Sequence, residues 1–245
     1  MPLATTQGFV LGWSPYNEQD RLVTLFTKDK GTLRAIAPGS LKTGNRFASL
    51  FELFTEGEFH YYWQENRELI TISRGETIHS YFRIVSNPGN IFYFYLMADV
   101  LLTFIPFHSS DPRLYKLLNS ILTRSEENIA IDLLLLYFLA WTLRIEGLMF
   151  NPRMCSNCNM RNLEQVWVRS DFRGILCSDC RTNESLILSK EELSFIGWTE
   201  KNSPELLESW RDRIDIAKLI RFFTRKIEFH GECTLKSSRY LKEFA

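Results

Sequence analysis

The 245-residue sequence carries no excess of either charge, since 29 Lys and Arg balance 29 Asp and Glu. No global field marks nucleic acid or an anionic membrane as a partner, and any cationic surface has to arise by local segregation. No Gly-x-x-x-x-Gly-Lys-Ser/Thr loop is present. The four histidines, His60, His79, His108 and His230, are scattered, with no acid, base and nucleophile gathered around them. Both absences argue against an enzyme. The amino end lacks a basic segment leading into an apolar run, so no secretory leader is expected. Long uncharged apolar runs are missing too. Ile91 to Phe107 contains Asp99 and Pro106, and Ile129 to Phe150 contains Asp132 and Arg144, so both read as core helices rather than membrane spans. Cysteine is scarce, at five residues, but its arrangement for metal places the chain in the cytoplasm.

Cys155 and Cys158 form one Cys-x-x-Cys pair, and Cys177 and Cys180 form another across the arm from Asn159 to Leu176. This spacing folds four thiolates tetrahedrally around one Zn2+ ion. Zinc prefers soft thiolate ligands, and two intervening residues let both sulfurs of a pair point into one concavity. Four protein ligands leave no position for an activated water, so the zinc is structural rather than catalytic. The arm agrees. Gln165 to Arg169 alternates as a strand, Asp171-Phe172-Arg173-Gly174 offers a turn, and Ile175-Leu176 returns, which is the pattern of a zinc ribbon. A redox dithiol would need one such pair at a helix start inside a βαβ unit, and neither pair has that setting. Cys233, beside Gly231, reads as a buried or bystander thiol.

From Gly8 to about Phe82 the pattern is strands. Phe9 to Trp13 begins it, and Leu22 to Thr27 and Thr32 to Ala37 make a hairpin around Lys28-Asp29-Lys30-Gly31. Leu50 to Thr55, Glu58 to Trp63 and Glu68 to Ser73 follow. Five or six short strands favour a small closed barrel: an OB-type barrel fits, with an SH3-like barrel or a small sandwich as alternatives. The texture then turns helical. Asn87-Pro88, Asp111-Pro112 and Ser125 are expected helix starts, with Pro106 and Gly147 as stops. Ser189 to Glu192 is an expected capping box, Gly197 a stop and Ser203-Pro204 another start. The last helix, expected over Arg211 to His230, places Ile216, Leu219, Ile220, Phe223 and Ile227 on one stripe. Arg211, Lys218, Arg221 and Arg225 gather on the opposite face, as a solvated surface or an anion contact.

Four places together resemble the RecO family of bacterial DNA recombination and repair mediators. Tyr16 to Thr27, with Lys30-Gly31 and Ala35 to Gly39, is similar to the family's opening barrel strands. Leu143-Arg144-Ile145-Glu146-Gly147 leads to Pro152 and the first cysteine pair, then comes the ribbon, which many members carry and some have lost. Leu235-Lys236-Ser237-Ser238-Arg239 lies near the family's terminal Leu-Lys-Ser-x-Arg pattern. The resemblance implies a multi-domain α+β chain. An N-terminal OB-fold β-barrel over 1–82 would precede a C-terminal α-helical domain over 83–150 and 186–245, with an inserted four-cysteine zinc ribbon over 151–185. It also implies binding of single- and double-stranded DNA, annealing of complementary strands, and action with RecR to load RecA onto DNA coated by single-strand binding protein (SSB). Neither a membrane nor a small-molecule substrate belongs to this reading, which places the protein at the nucleoid.

An OB barrel binds single strands by joining a cationic groove to aromatic stacking platforms. Candidate cations are Lys28, Lys30 and Arg34 on the first hairpin, Lys42 and Arg46 in the next loop, and Lys236 and Arg239 near the carboxyl end. The loop from Ser40 to Arg46 holds fewer cations than is typical of the family, and Glu52, Glu56, Glu58, Glu65, Glu68 and Glu76 offset them. Weaker or more distributed DNA binding is expected. Phe51, Phe54, Phe59 and Tyr61 are assigned to the core, and Tyr62, Trp63 and Phe47 are the stacking candidates. In the family, the acidic, apolar SSB tail needs an apolar pocket rimmed by cations, for which Arg113, Lys116, Arg124 and Arg144 are available. A competing reading is a zinc-ribbon module that assembles protein partners and contacts nucleic acid little.

Overall fold

Five strands carry the alternating segments of the amino-terminal region: β1 (Leu3–Pro15), β2 (Arg21–Thr27), β3 (Gly31–Ala37), β4 (Glu56–Tyr62) and β5 (Leu69–His79). The computed structural model describes residues 2–47, 49–63, 69–105, 109–127, 129–161, 163–181 and 186–242. Pro106, His108, Glu65 and Glu68 lie outside the described residues. The strands close in the order β1-β2-β3-β5-β4, with β4 returning to β1. All pairs are antiparallel except β3 with β5, where Arg34 to Ile36 run alongside Leu69 to Thr71. This is the OB topology. Inward-facing Val10, Val23, Leu25, Leu33, Ala35, Phe59, Tyr61, Ile70 and Ile72 fill the barrel.

The expected strand Leu50–Thr55 is instead a run of turns. Its apolar residues are real core: Leu50 and Phe51 plug the barrel, and Phe54 turns the chain at φ 59°. Plugging side chains mimic strand alternation, while among the described residues the backbone meets β1 only where the Phe54 amide bonds the Val10 carbonyl at 2.7 Å and the Val10 amide bonds the Thr55 carbonyl at 3.0 Å. Phe47 belongs to the same plug, 2% exposed, and is core rather than a stacking platform. Phe51, Phe54, Phe59 and Tyr61 are buried as assigned.

The chain divides into two compact units, Met1–Leu122 and Thr123–Ala245. Within the first, α1 (Phe82–Val85), α2 (Ile91–Phe104) and most of α3 (Pro112–Ser125) accompany the barrel. Tyr115 of α3 packs on Phe9 and Phe26 at ring separations of 5.1 and 5.4 Å, and Phe94 of α2 lies 6.1 Å from Phe54. Asp111 starts α3 as expected, its carboxylate accepting from the Arg113 and Leu114 amides at 2.8 and 3.3 Å. Asn87-Pro88 does not start a helix. The Asn87 side chain accepts from the Gly89 amide at 3.0 Å, a local turn that delays α2 to Ile91.

The second unit is organised around α4 (Ile131–Ile145), whose Leu133 to Leu136 are fully buried. Ser125 closes α3 rather than opening α4: the Glu126 and Glu127 amides bond the Thr123 and Arg124 carbonyls at 3.3 and 3.1 Å, and the Arg124 side chain pairs with Glu127 at 2.7 Å. Gly147, at φ 69°, follows the end of α4. Strands β6 (Gln165–Val168), β7 (Ile175–Leu176) and β8 (Ile187–Ser189) form a small sheet in the order β7-β6-β8. The Ser189–Glu192 capping box is present and opens α5 (Lys190–Trp198), which runs one residue past Gly197. There Trp198 packs on Phe195 and Trp210, at 6.2 and 5.8 Å. Ser203-Pro204 opens a 3-10 turn, Pro204–Trp210. The last helix is shorter than expected. Asp215 accepts from the Lys218 amide at 2.8 Å and starts α6 (Ile216–His230), while Arg211 pairs with Glu208 and Asp132 in the preceding turns. Among the described residues no helix is long and apolar enough to cross a membrane.

Candidate metal centre and nucleic-acid interface

The sulfurs of Cys155, Cys158, Cys177 and Cys180 all lie within 4.8 Å of one another. Local backbone geometry builds this cluster. In the first knuckle the Cys155 amide bonds the Met160 carbonyl at 2.9 Å, and the Asn159 amide bonds the Cys155 carbonyl at 3.0 Å with Asn159 at φ 61°. The second knuckle closes with the Cys180 amide on the Cys177 carbonyl at 3.1 Å. Ser156 docks the first knuckle on β7. Its amide donates to the Ile175 carbonyl at 2.8 Å, and its Oγ accepts from the Ile175 amide at 3.0 Å. A Cβ at Gly174 would lie 2.0 Å from that Oγ, so the approach requires glycine.

The donor set fits one four-coordinate ion. Cys158 and Cys177 Sγ atoms are 3.7 Å apart, close to the roughly 3.8 Å edge of a tetrahedron with metal–sulfur bonds of about 2.3 Å. Amides of Asn157 and Cys177 point at Cys155 Sγ at 3.5 and 3.4 Å, and the Asn157 side-chain amide donates to Cys180 Sγ at 3.3 Å. Burial pushes the Cys155 thiol up, but the amides of Cys158, Cys177 and Asn157 outweigh it and hold it at about 6. At Cys158 the Met160 amide acts downward, yet the crowding by Cys155, with burial and the other thiols, carries it up to about 12. One thiolate is stabilised by the protein alone, and a cation between the sulfurs would be needed to hold all four as thiolates. Cys233 is exposed and not part of the cluster.

The barrel cations do not form one cluster. Lys28 and Lys30 flank the β2–β3 turn, with Lys30 3.8 Å from Asp29. The adjoining Gly31 and Thr32 sit against the segment before α3, the Thr32 hydroxyl donating to the Ile105 carbonyl at 3.3 Å. Arg34 is exposed midway along β3, opposite Thr24 and beside Leu69. Lys42 and Arg46 lie beyond the other end of β3. Asp20 anchors their loop. The Gly39 amide and the Asn17 side chain bond its carboxylate at 2.7 and 2.8 Å and hold it below the usual carboxylate range. The candidates thus sit at three places, the β2–β3 turn, mid-β3 and the loop beyond it, with the two ends separated by a seven-residue strand, about 20 Å at roughly 3.3 Å per residue.

The barrel also exposes aromatic rings. Tyr62 and Trp63 are exposed. Sequence reasoning missed Trp13, which is 43% exposed, with the Arg21 guanidinium 4.1 Å above its ring. The available signal was Gly12, since a glycine inside a strand marks a bulge. The register does shift between Val10 and Gly12, which turns Trp13 outward.

Lys236 and Arg239 are both exposed on a second 3-10 turn, Lys236–Lys242, in the second unit, with Arg239 over Tyr240 at 4.9 Å. Of the candidate pocket cations, Arg113 pairs with Asp111 at 2.7 Å and Arg124 with Glu127 at 2.7 Å. Arg144 donates to Thr199 Oγ1 at 2.8 Å and to the Ile196 carbonyl, so it ties α4 to α5. Lys116 is exposed on α3. His60 bonds Thr5 at 2.9 Å on the barrel exterior, and His79 packs on Tyr81 at 4.5 Å.

Comparison with known proteins agrees with this architecture. Residues 1–81 match the family model described as recombination protein O N terminal, and residues 86–239 match recombination protein O C terminal. The DNA repair protein RecO of Dehalococcoides mccartyi is 24% identical over 199 residues, covering 80% of this chain and 78% of that protein. Its counterpart from Clostridium novyi is 25% identical over 201 residues, covering 82% and 78%. That from Listeria monocytogenes is 26% identical over 174 residues, covering 71% and 67%. An OB barrel, a helical region and a four-cysteine ribbon, in that order under two matches spanning nearly the whole sequence, establish that this chain belongs to the RecO family.

Proposed function

We propose that the protein is a DNA-binding recombination mediator without enzymatic activity. It anneals complementary single strands and, with RecR, helps load RecA onto SSB-coated single-stranded DNA during recombinational repair. The observation that carries this reading is the set of cations on the β2–β3 hairpin and the loop after it: Lys28 and Lys30 in the turn, exposed Arg34 on β3, and Lys42 and Arg46 beyond. In an OB barrel this face takes the strand, and the exposed Trp13 beside it offers a ring for a base. Lys236 and Arg239 would add phosphate contacts, and the SSB tail would meet the helical segments that carry Arg113, Lys116, Arg124 and Arg144. A single Zn2+ ion held by Cys155, Cys158, Cys177 and Cys180 would order the ribbon without entering any reaction. With DNA as its partner the protein would work in the cytoplasm, at the nucleoid.

Barrel carboxylates favour a second reading, a ribbon module that assembles proteins and contacts DNA little: Arg74 is held by Glu76, and His60 lies 3.3 Å from Glu58. Annealing of two labelled complementary oligonucleotides by metal-analysed protein, with and without SSB, separates the two. Rapid annealing that survives SSB, with one zinc per chain, is expected. Absence of annealing and of DNA binding even at low salt would leave only the assembly module.

A further inference from the structure

The second unit holds a cationic surface that the barrel does not use. A cleft of about 380 Å³ opens between the ribbon hairpin and α6. Its lining includes Arg169 and Phe172 from the hairpin and Lys218, Arg221, Phe222 and Arg225 from α6. Two of the four cations are already neutralised. Arg169 pairs with Asp171 at 3.0 Å, and Lys218 pairs with the buried Glu192 at 2.7 Å. Among the described residues, Arg221 and Arg225 have no acidic partner. They stand four residues apart on one face of α6, about 6 Å along its axis. The cleft therefore retains two forked donors at a regular spacing above an apolar floor.

That combination selects its occupant. A simple anion would satisfy the guanidinium groups and leave the floor wet, while a neutral apolar segment would bury two unpaired charges. The occupant must repeat a negative group along its length and carry a flat apolar face. Guanidinium forks match phosphate oxygens in bidentate geometry. Half-buried Phe172 continues into Phe229, 50% exposed and 5.4 Å away ring to ring, a surface suited to base stacking. We infer that the cleft between the ribbon and α6 binds a second segment of single-stranded DNA, with backbone phosphates on Arg221 and Arg225 and a base against Phe172. This rests on the DNA-binding reading above and adds to it: one chain holds strand at two separate places, which is what bringing two strands together requires.

Equilibrium binding of a labelled oligo(dT) to the intact protein, titrated with KCl, tests the inference. For the Arg221→Ala/Arg225→Ala variant, the slope of log affinity against log salt should become shallower by about 1.4, two contacts at about 0.7 each. Arg34→Ala should remove about 0.7 independently, and the combined variant should show both losses. The exposed single change Arg225→Glu should weaken binding further than alanine at that position, and the wild-type melting temperature should be retained in all variants. A wild-type slope in the Arg221→Ala/Arg225→Ala variant overturns the inference while leaving the barrel site standing. If that variant instead lost affinity for an acidic, apolar peptide and kept its DNA slope, the cleft would be a protein site and the inference would be wrong. Absence of oligo(dT) binding by wild-type protein at low salt would remove both the inference and the mediator reading.

Discussion

The Nζ of Lys226 donates to the main-chain carbonyl oxygen of Phe172. Lys226 is 0% exposed on α6, its ammonium 5.5 Å from the Phe150 ring, and Phe172 sits at φ 55° in the ribbon turn. A buried amine thus fastens the hairpin to the helix, and both walls of the arginine cleft depend on that fastening. Burial holds the Lys226 amine down at about 8, with Asp171 acting in the opposite direction.

The pH dependence of this contact has a definite sign. Below about 8 the folded protein carries a charge that burial penalises, while an unfolded lysine keeps its proton to about 10.4. Between those values the unfolded chain binds more protons, so this site's contribution to stability improves as pH rises. Melting temperatures of wild type and Lys226→Met should therefore shift in favour of wild type from pH about 8 to about 10. A difference that stays flat across that range would mean that Lys226 titrates normally.

Replacing Cys155 or Cys177, the two buried members of the cysteine cluster, by serine should cost stability and solubility. Metal in such sites contributes about 10–16 kcal/mol, comparable with the roughly 5–15 kcal/mol of a whole domain, so the ribbon should lose its order. Elemental analysis paired with thermal melts checks this. A variant that released its metal and kept its melting temperature would refute a structural role.

On the barrel, Trp13→Ala should weaken single-strand binding by about 1–3 kcal/mol, the worth of one stacking platform. Lys28→Ala/Lys30→Ala should weaken it roughly uniformly across sequences. Oligonucleotides of differing base composition measured at one salt concentration would test both, and unchanged affinity in either variant would move the strand off that part of the face.

Gly31→Ala should damage folding rather than binding. Gly31 adopts φ 68°, and an added Cβ would lie 2.2 Å from the Ser109 carbonyl oxygen. The left-handed backbone alone costs about 1–3 kcal/mol for a residue other than glycine, and the clash adds to it. Chemical denaturation should show the loss, and a wild-type midpoint would contradict the close approach.

What the sequence discloses follows the range of the interactions involved. The four-cysteine cluster was legible because two-residue spacing is local and thiolate chemistry is specific. The β2–β3 hairpin was legible from alternation around Lys28-Asp29-Lys30-Gly31. Leu50–Thr55 misled because burial in a plug and burial in a strand give the same alternation. Ser125 misled because the chain continues from it in backbone turns onto Thr123 and Arg124 that end α3, so a serine ahead of two glutamates closes one helix where it could as well have opened the next. The cations on the first hairpin and the loop after it were readable as residues but their placement was not, since it follows from which strands pair to close the barrel.

That closure also has a temporal side. β1 finds its second partner only when Leu3 meets Tyr62, and β3 only when Arg34 meets Leu69. At ribosomal rates of about 5–20 residues per second, the emerging β1 waits on the order of several seconds with an unpaired edge. During translation, then, the nascent barrel exposes a strand edge, and synonymous changes that slow decoding before the β4 codons should lower soluble yield without altering the finished protein.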